Sequence, residues 1–251
     1  MKCNFFLLFI LLNLFVTRAQ NFFLHQGAFN GQYYEYGYNS LPKIEIKYAP
    51  EDIDWNRWSL LEDGEVYRLY FMPLGKSNKL YQFGFNPSSN AYEYGYMSAP
   101  VIPILDLPSN ADVSNFSILF DGYDYRLYFL DKYDTQIILQ CAYDENTGST
   151  GAYRYGYKSI SKIVISNAPI DTDWNRWSML HDGKDYRLYF MSKNSNDLLY
   201  QFAYNGSTYD YGFNSMARIS ITGYPSSTSK SKFSILHDGV NYRLYKLQKN
   251  N

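Results

Sequence analysis

Residues 58–70 read WSLLEDGEVYRLY, two apolar and aromatic runs joined through Asp63-Gly64. Asp-Gly between such runs is the strongest short-range hairpin signal, because a two-residue type I′ turn needs positive φ at both central positions. The first run is apolar on both faces apart from Ser59. It therefore reads as a strand covered on both sides, with the small serine marking where a neighbouring sheet comes close. The second run alternates, with Tyr67, Leu69 and Phe71 facing one way and Arg68 and Tyr70 the other.

The same stretch returns as FSILFDGYDYRLY from Phe116, WSMLHDGKDYRLY from Trp177 and FSILHDGVNYRLY from Phe233. Moving outward, a Y-x-Y-G-[YF] motif recurs at Tyr34, Tyr92, Tyr153 and Tyr209, each time followed by a short alternating segment such as KIEI. Behind Y-R-L-Y comes a further aromatic strand, KLYQFGFN, IILQCAYD or LLYQFAYN. The period is about 58 residues, the signature of a repeat architecture. No segment carries a sustained helical period.

The fourth copy ends at YRLYKL and lacks that last strand, whereas residues 25–40, HQGAFNGQYYEYGYNS, match residues 200–215, YQFAYNGSTYDYGFNS, at 9 of 16 positions. The N-terminus thus holds the strand that the last copy is missing. A chain cut inside a repeat closes by pairing its first strand beside its last copy, which removes exposed sheet edges. The expected fold is all-β, with four repeats of about four strands closing into a ring. A four-bladed β-propeller completed by the N-terminal strand is the simplest such object, and a closed barrel or two packed two-repeat units are the alternatives. The layout [WF]-S-x-L-x-D-G-x-x-Y resembles the hemopexin repeat in its arrangement of strands, although the disulfide that ties first to last hemopexin blade has no counterpart here.

Residues 1–19 combine Lys2, an apolar run from Phe5 to Leu12 that resumes to Val16, and small residues at Thr17 and Ala19. This is the pattern of a secretory signal peptide cut after Ala19, and its apolar core is shorter than the about 20 residues that cross a bilayer. The expected organisation is a signal peptide, 1–19, and one domain, 20–251, secreted and without a membrane span. Removing Lys2 and Arg18 leaves 21 basic residues against 24 acidic ones, a formal net charge of −3. That balance argues against nucleic acid as a partner. The 28 Tyr and 17 Phe suit strands and interfaces alike. Cys141 is the one cysteine beyond residue 19, and it occupies the place of Phe83 and Phe202, so a buried thiol is expected.

All four tryptophans fall in two matching segments, DIDWNRWS at 52–59 and DTDWNRWS at 171–178. Trp58 and Trp177 read as core, since Phe116 and Phe233 replace them in the other copies. Asp54, Trp55, Asn56 and Arg57, with Asp173, Trp174, Asn175 and Arg176, form the candidate ligand site. An indole stacks on the apolar face of a sugar, while carboxylate, amide and guanidinium bind hydroxyls. Two copies would give bivalency. The acid pairs Asp52/Asp54 and Asp171/Asp173 carry only a weak signal for glycosidase chemistry or calcium. Arg68, Arg126, Arg187 and Arg243 recur in every copy and read as structural, stacked between tyrosines or paired with an acid such as Glu35 or Glu93. Asn115 and Asn205 head N-glycosylation sequons, Asn205 in a turn and Asn115 leading into a strand. The expected function is a secreted, non-enzymatic, lectin-like module for extracellular glycans or glycoproteins, needing neither metal nor cofactor. A structural or protein-interaction module of a coat or matrix is the alternative.

Overall fold

The computed structural model describes residues 22–75, 78–158 and 160–249, so the signal-peptide segment lies outside the described residues. Among the described residues there are twenty β-strands, and no helix is long and apolar enough to cross a membrane. The chain opens on β1 (Phe22–Phe29), β2 (Tyr33–Tyr36) and β3 (Lys43–Lys47). Next come β4 (Ile53–Glu62), β5 (Tyr67–Pro73), β6 (Lys79–Asn86), β7 (Ala91–Tyr94) and β8 (Val101–Leu105), which make one complete unit. A second consists of β9 (Ala111–Phe120), β10 (Tyr125–Asp131), β11 (Ile137–Asp144), β12 (Ala152–Tyr155) and β13 (Lys162–Ser166). The third runs through β14 (Thr172–His181), β15 (Tyr186–Ser192), β16 (Leu198–Tyr204), β17 (Thr208–Tyr211) and β18 (Arg218–Thr222). Finally β19 (Ser234–His237) and β20 (Tyr242–Lys249) meet the N-terminal strands.

Closure follows the expected permutation. Strand β1 lies antiparallel to β20, with Leu24 opposite Leu247 and Ala28 opposite Arg243, so the two chain ends build the fourth unit together. Each unit holds five strands rather than four, because its outer position is split in two. In the first unit β6 pairs with β7 over Phe83 to Asn86 and with β8 over Lys79 to Tyr81. The break falls at the Y-x-Y-G motif, where Gly95 and Met97 adopt φ of 70° and 48°. Both half-strands then reach sideways: β8 runs parallel to β12, β13 to β17, β18 to β2 and β3 to β7. The outer edges of all four units are thereby sutured into one ring, leaving few unpaired edges.

The hairpins form as read, but not with two-residue turns. Glu62 pairs with Tyr67, so residues 63–66 are a four-residue loop in which Gly64 has φ of 87° and Asp63 is not in the left-handed region. The turn is held by a side chain instead. Asp63 Oδ1 accepts from the backbone N–H groups of Glu65 and Val66 at 3.1 and 2.8 Å, and Asp121, Asp182 and Asp238 do the same in their loops. An Asx-type turn of this kind lets aspartate replace a missing backbone partner.

The inner strands β4, β9, β14 and β19 surround the ring axis, where an opening of only about 10 Å³ remains, at the limit of a single water. Serine makes that approach possible. Ser59 Oγ accepts from Ile118 N at 3.1 Å, Ser117 from Met179 N at 2.8 Å, Ser178 from Ile235 N at 3.0 Å and Ser234 from Leu60 N at 3.0 Å. Four serines thus join each unit to the next in a closed circle. At the opposite end of these strands from the Asp-Gly turns, buried Lys232 donates to Asn115 Oδ1 and to the Phe116 carbonyl, 2.8 Å away.

The cores lie between units, not within them. Trp58, Phe71 and Phe83 of the first unit pack on Leu24, Ile44 and Leu247 of the fourth, and Trp177 occupies the equivalent place against Leu130 and Ile163. Cys141 is fully buried in the cluster that joins the first and second units, and burial pushes its thiol up to about 12. Replacing Ser117 by Val keeps shape but orphans the Met179 N–H. The expected cost is about 1–3 kcal/mol, read as a lower urea midpoint at unchanged slope; an unchanged midpoint would contradict the serine circle.

Candidate functional site

Residues Asp54 to Arg57 occupy a bulge. Ile53 pairs with Pro73 but the next pair is Trp58 with Phe71, so four residues of β4 oppose one of β5. Asp54 Oδ2 accepts from Arg57 Nε at 2.7 Å and Asp54 Oδ1 from Asn56 N at 3.0 Å. Arg57 itself is buried. It donates to the carbonyls of Pro73 and, across the seam, of Val113 at 3.3 Å. Trp55 is half-buried, stacked on Phe22 of the fourth unit with centroids 3.3 Å apart.

The third unit repeats this arrangement. Arg176 donates to Asp173 at 2.6 Å, to Ser192 O at 2.7 Å and to Lys230 O at 3.2 Å, and Trp174 meets Phe190 edge-on. Only Asn56 and Asn175 of the eight residues are exposed. The eight do come together in two matching clusters, and the guanidinium of each clamps a unit to its neighbour. The adjacent acids have different partners, since the Tyr81 hydroxyl lies within hydrogen-bond reach of both oxygens of Asp52 and the Tyr200 hydroxyl of both oxygens of Asp171. Asn115 is buried and its amide donates to Asn175 O at 2.9 Å. Asn205 is exposed in the turn between β16 and β17.

At the Asp-Gly end, four clefts open between units. Between the first and second, Arg68, Tyr70, Gln82 and Ile102 form one wall, the loop Met97 to Ala99 overhangs, and Tyr125, Tyr143 and Tyr153 form the other; the volume is about 210 Å³. The next cleft sets Arg126, Tyr128 and Gln140 against Tyr186, Tyr204 and Tyr209, again about 210 Å³. The third sets Arg187, Tyr189 and Gln201 against Tyr242, Phe29 and Tyr34, about 180 Å³. The last sets Arg243, Tyr245 and Gln26 against Tyr67, Phe85 and Tyr92, about 230 Å³. One set of residue types therefore recurs four times, each time divided between two units.

The arginines are not paired with Glu35 or Glu93, which accept from Asn30 and Asn86. Their partner is the turn aspartate of their own hairpin. Arg126 Nε donates to Asp121 at 2.6 Å and Arg187 Nε to Asp182 at 2.5 Å, with Arg68 on Asp63 and Arg243 on Asp238 likewise. The turn explains this better than sequence distance: the carboxylate already fixed by the loop backbone points its second oxygen at the first residue pair of β5. That same oxygen accepts from a tyrosine of the following unit, Tyr125 to Asp63 at 3.0 Å, Tyr186 to Asp121 at 2.8 Å and Tyr242 to Asp182 at 2.8 Å.

Burial and these anions push the Tyr125, Tyr186 and Tyr242 hydroxyls up to about 12, so they stay neutral donors. For Asp182 burial alone would raise the carboxyl. The Asp185 N–H and the Arg187 guanidinium outweigh it and hold the carboxyl at about 2. Deeper in each cleft lie buried glutamines. With its amide oriented to satisfy both ends, Gln201 accepts from Arg187 Nη1 at 3.0 Å and donates to Met216 O at 3.2 Å. Ser98 and Ser215 line two clefts, and their hydroxyls have no partner among the described residues.

No protein-family model matches the chain, and no curated protein matches it. Among solved structures it is similar to AofleA from Arthrobotrys oligospora, with 16% identity and a TM-score of 0.34 over 75% of this chain and 49% of that one. It is also similar to a variant of the Aleuria aurantia lectin in complex with α-methyl-L-fucoside, at 14% identity and a TM-score of 0.38 over 73% and 51%. A further structure of that lectin, described as a six-bladed β-propeller, gives 14% and 0.30 over 78% and 58%. The chain spans about half the length of the structures it matches.

The carboxyls of Asp63, Asp121, Asp182 and Asp238 all lie below their ordinary value in the folded state. Their pairing therefore stabilises fully above the unfolded value of about 3.9 and is lost as pH falls through the folded ones. Urea midpoints are expected to drop between pH 4 and 2, with a shallower slope in Asp182→Asn. Equal slopes in parent and variant would contradict the assignment.

Proposed function

We propose that the ring is a four-bladed β-propeller and that the protein is a secreted, non-enzymatic, carbohydrate-binding module whose sites are the four clefts. The observation that carries this reading is the fourfold recurrence of one polar and aromatic set, Arg, Gln and tyrosines, in clefts of similar size. Tyrosine and phenylalanine rings suit the apolar C–H face of a pyranose, while guanidinium, amide and phenol suit its hydroxyls. Volumes near 200 Å³ are below the about 300–1,000 Å³ of pockets for drug-sized ligands, which favours a single sugar ring.

The ligand contacts are placed in the clefts and not at Asp54 to Arg57 and Asp173 to Arg176, whose buried guanidinium groups already serve the seams. Four sites on one rigid ring favour multivalent targets such as extracellular glycoproteins, where avidity exceeds single-site affinity. Secretion rests on segment 1–19. Asn205, exposed in its turn, is the proposed glycosylation site, whereas the Asn115 amide becomes accessible only before folding.

A glycan array tests the reading. The parent is expected to bind a defined sugar class, and the combined Arg68→Lys, Arg126→Lys, Arg187→Lys and Arg243→Lys variant is expected to lose at least about tenfold in affinity while keeping its circular dichroism. Lysine keeps the ion pair with aspartate but loses the planar fork. Trp55→Phe with Trp174→Phe is expected to bind as the parent does. No binding by the parent would overturn the carbohydrate reading in favour of a protein-interaction or matrix module. Loss in the tryptophan variant alone would return the site to the bulges.

A further inference from the structure

The four clefts share a frame, but their arginines are not paired alike. Arg126 is tied by two acids, Asp121 through Nε and Asp124 through Nη2 at 3.1 Å, and its Nη1 faces the Lys158 carbonyl at 3.5 Å. Arg187 is tied in the same way by Asp182 and Asp185, with Gln201 on Nη1. The positions equivalent to Asp124 and Asp185 are Val66 and Asn241. Arg68 and Arg243 accordingly meet one acid each, Asp63 and Asp238, and use Nη1 on the carbonyls of Met97 and Asn39. Among the described residues their Nη2 is not taken by a second acid.

Resting on the carbohydrate reading, we infer that the clefts of Arg68 and Arg243 are the strong sugar sites and those of Arg126 and Arg187 the weak ones. Nη2 carries two N–H groups; in Arg126 and Arg187 one of them is already given to a carboxylate, which leaves a single donor there for a sugar hydroxyl and fixes its direction, whereas no second acid takes one in Arg68 and Arg243. The ligand of the strong pair is a hydroxyl-rich pyranose whose oxygens accept from Nη2.

Position gives the difference a use. The Arg243 cleft lies between the fourth and first units and the Arg68 cleft between the first and second, so the strong pair flanks a single unit. Binding is then concentrated on one side of the ring, suited to two branches of one glycan and not to four evenly spaced targets.

The test exchanges residues that the copies themselves already use at the same place, so each change suits the local backbone. The parent is titrated calorimetrically with the methyl glycosides of L-fucose, D-galactose, D-mannose and N-acetylglucosamine. Two tight sites per chain are expected, with the remaining two at least about tenfold weaker. Val66→Asp with Asn241→Asp is expected to remove the tight class while keeping its circular dichroism, and Asp124→Val with Asp185→Asn to raise the tight count from two to four. Four equal sites in the parent, or a tight class that survives Val66→Asp with Asn241→Asp, would overturn this inference and leave the carbohydrate reading standing. No binding of any of the four sugars would overturn both.

Discussion

One carboxylate in each repeat, that of the aspartate in the Asp-Gly turn, has three partners, and the molecule depends on all of them. Its first oxygen fixes the loop that turns β4 into β5, its second holds the arginine at the start of β5, and that oxygen also accepts from the tyrosine of the next unit. Local turn, cleft wall and unit-to-unit seam are therefore one constraint. A charged acceptor that holds a guanidinium, a phenol and backbone N–H groups makes charge-assisted bonds, the stronger kind, in a half-buried place where water competes less.

The rest of the architecture follows from putting the cores between units. No unit can bury its own aromatic faces, so each must have a neighbour on both sides, and a linear chain of four would leave two faces bare. The cut inside the repeat removes that defect, since β1 enters the fourth unit beside β20 and brings Leu24 and Phe22 to the Trp58 cluster. Around the axis the serine circle lets four inner strands meet, and at the rim the parallel half-strand pairs close the last open edges. The clefts exist only where two units meet, and the last two of them need the N-terminal strands as well.

Much of this was legible in the sequence. The hairpins, the close approach at Ser59, the burial of Trp58 and Cys141 and the placing of the N-terminal strand all follow from local pattern and from comparing the copies. What escaped was anything that depends on two copies meeting. Arg68 and Tyr125 are far apart in the chain and share Asp63 only after the ring forms, so no spacing rule joins them. The split outer strand was hidden because the Y-x-Y-G strand and the alternating segment after it, with Tyr94 and Val101, read as two successive elements, and nothing local shows that both pair with β6.

Arg68 and its equivalents occur in every copy, which favours a structural reading, yet a repeat protein repeats its sites too. The tryptophans attracted attention by occurring in only two copies, and their neighbours Arg57 and Arg176 are fastened to carbonyls across the seams. Within the clefts the pairing of the arginines varies with four residues of an otherwise constant motif, Val66, Asp124, Asp185 and Asn241.

The most direct measurement is a crystal structure of the protein soaked with the monosaccharide that it binds best. The account predicts a sugar ring seated between the arginine of one unit and the tyrosines of the next, with fullest density at Arg68 and Arg243. Density against Trp55 or Trp174, at the opposite end of the strands, would contradict it.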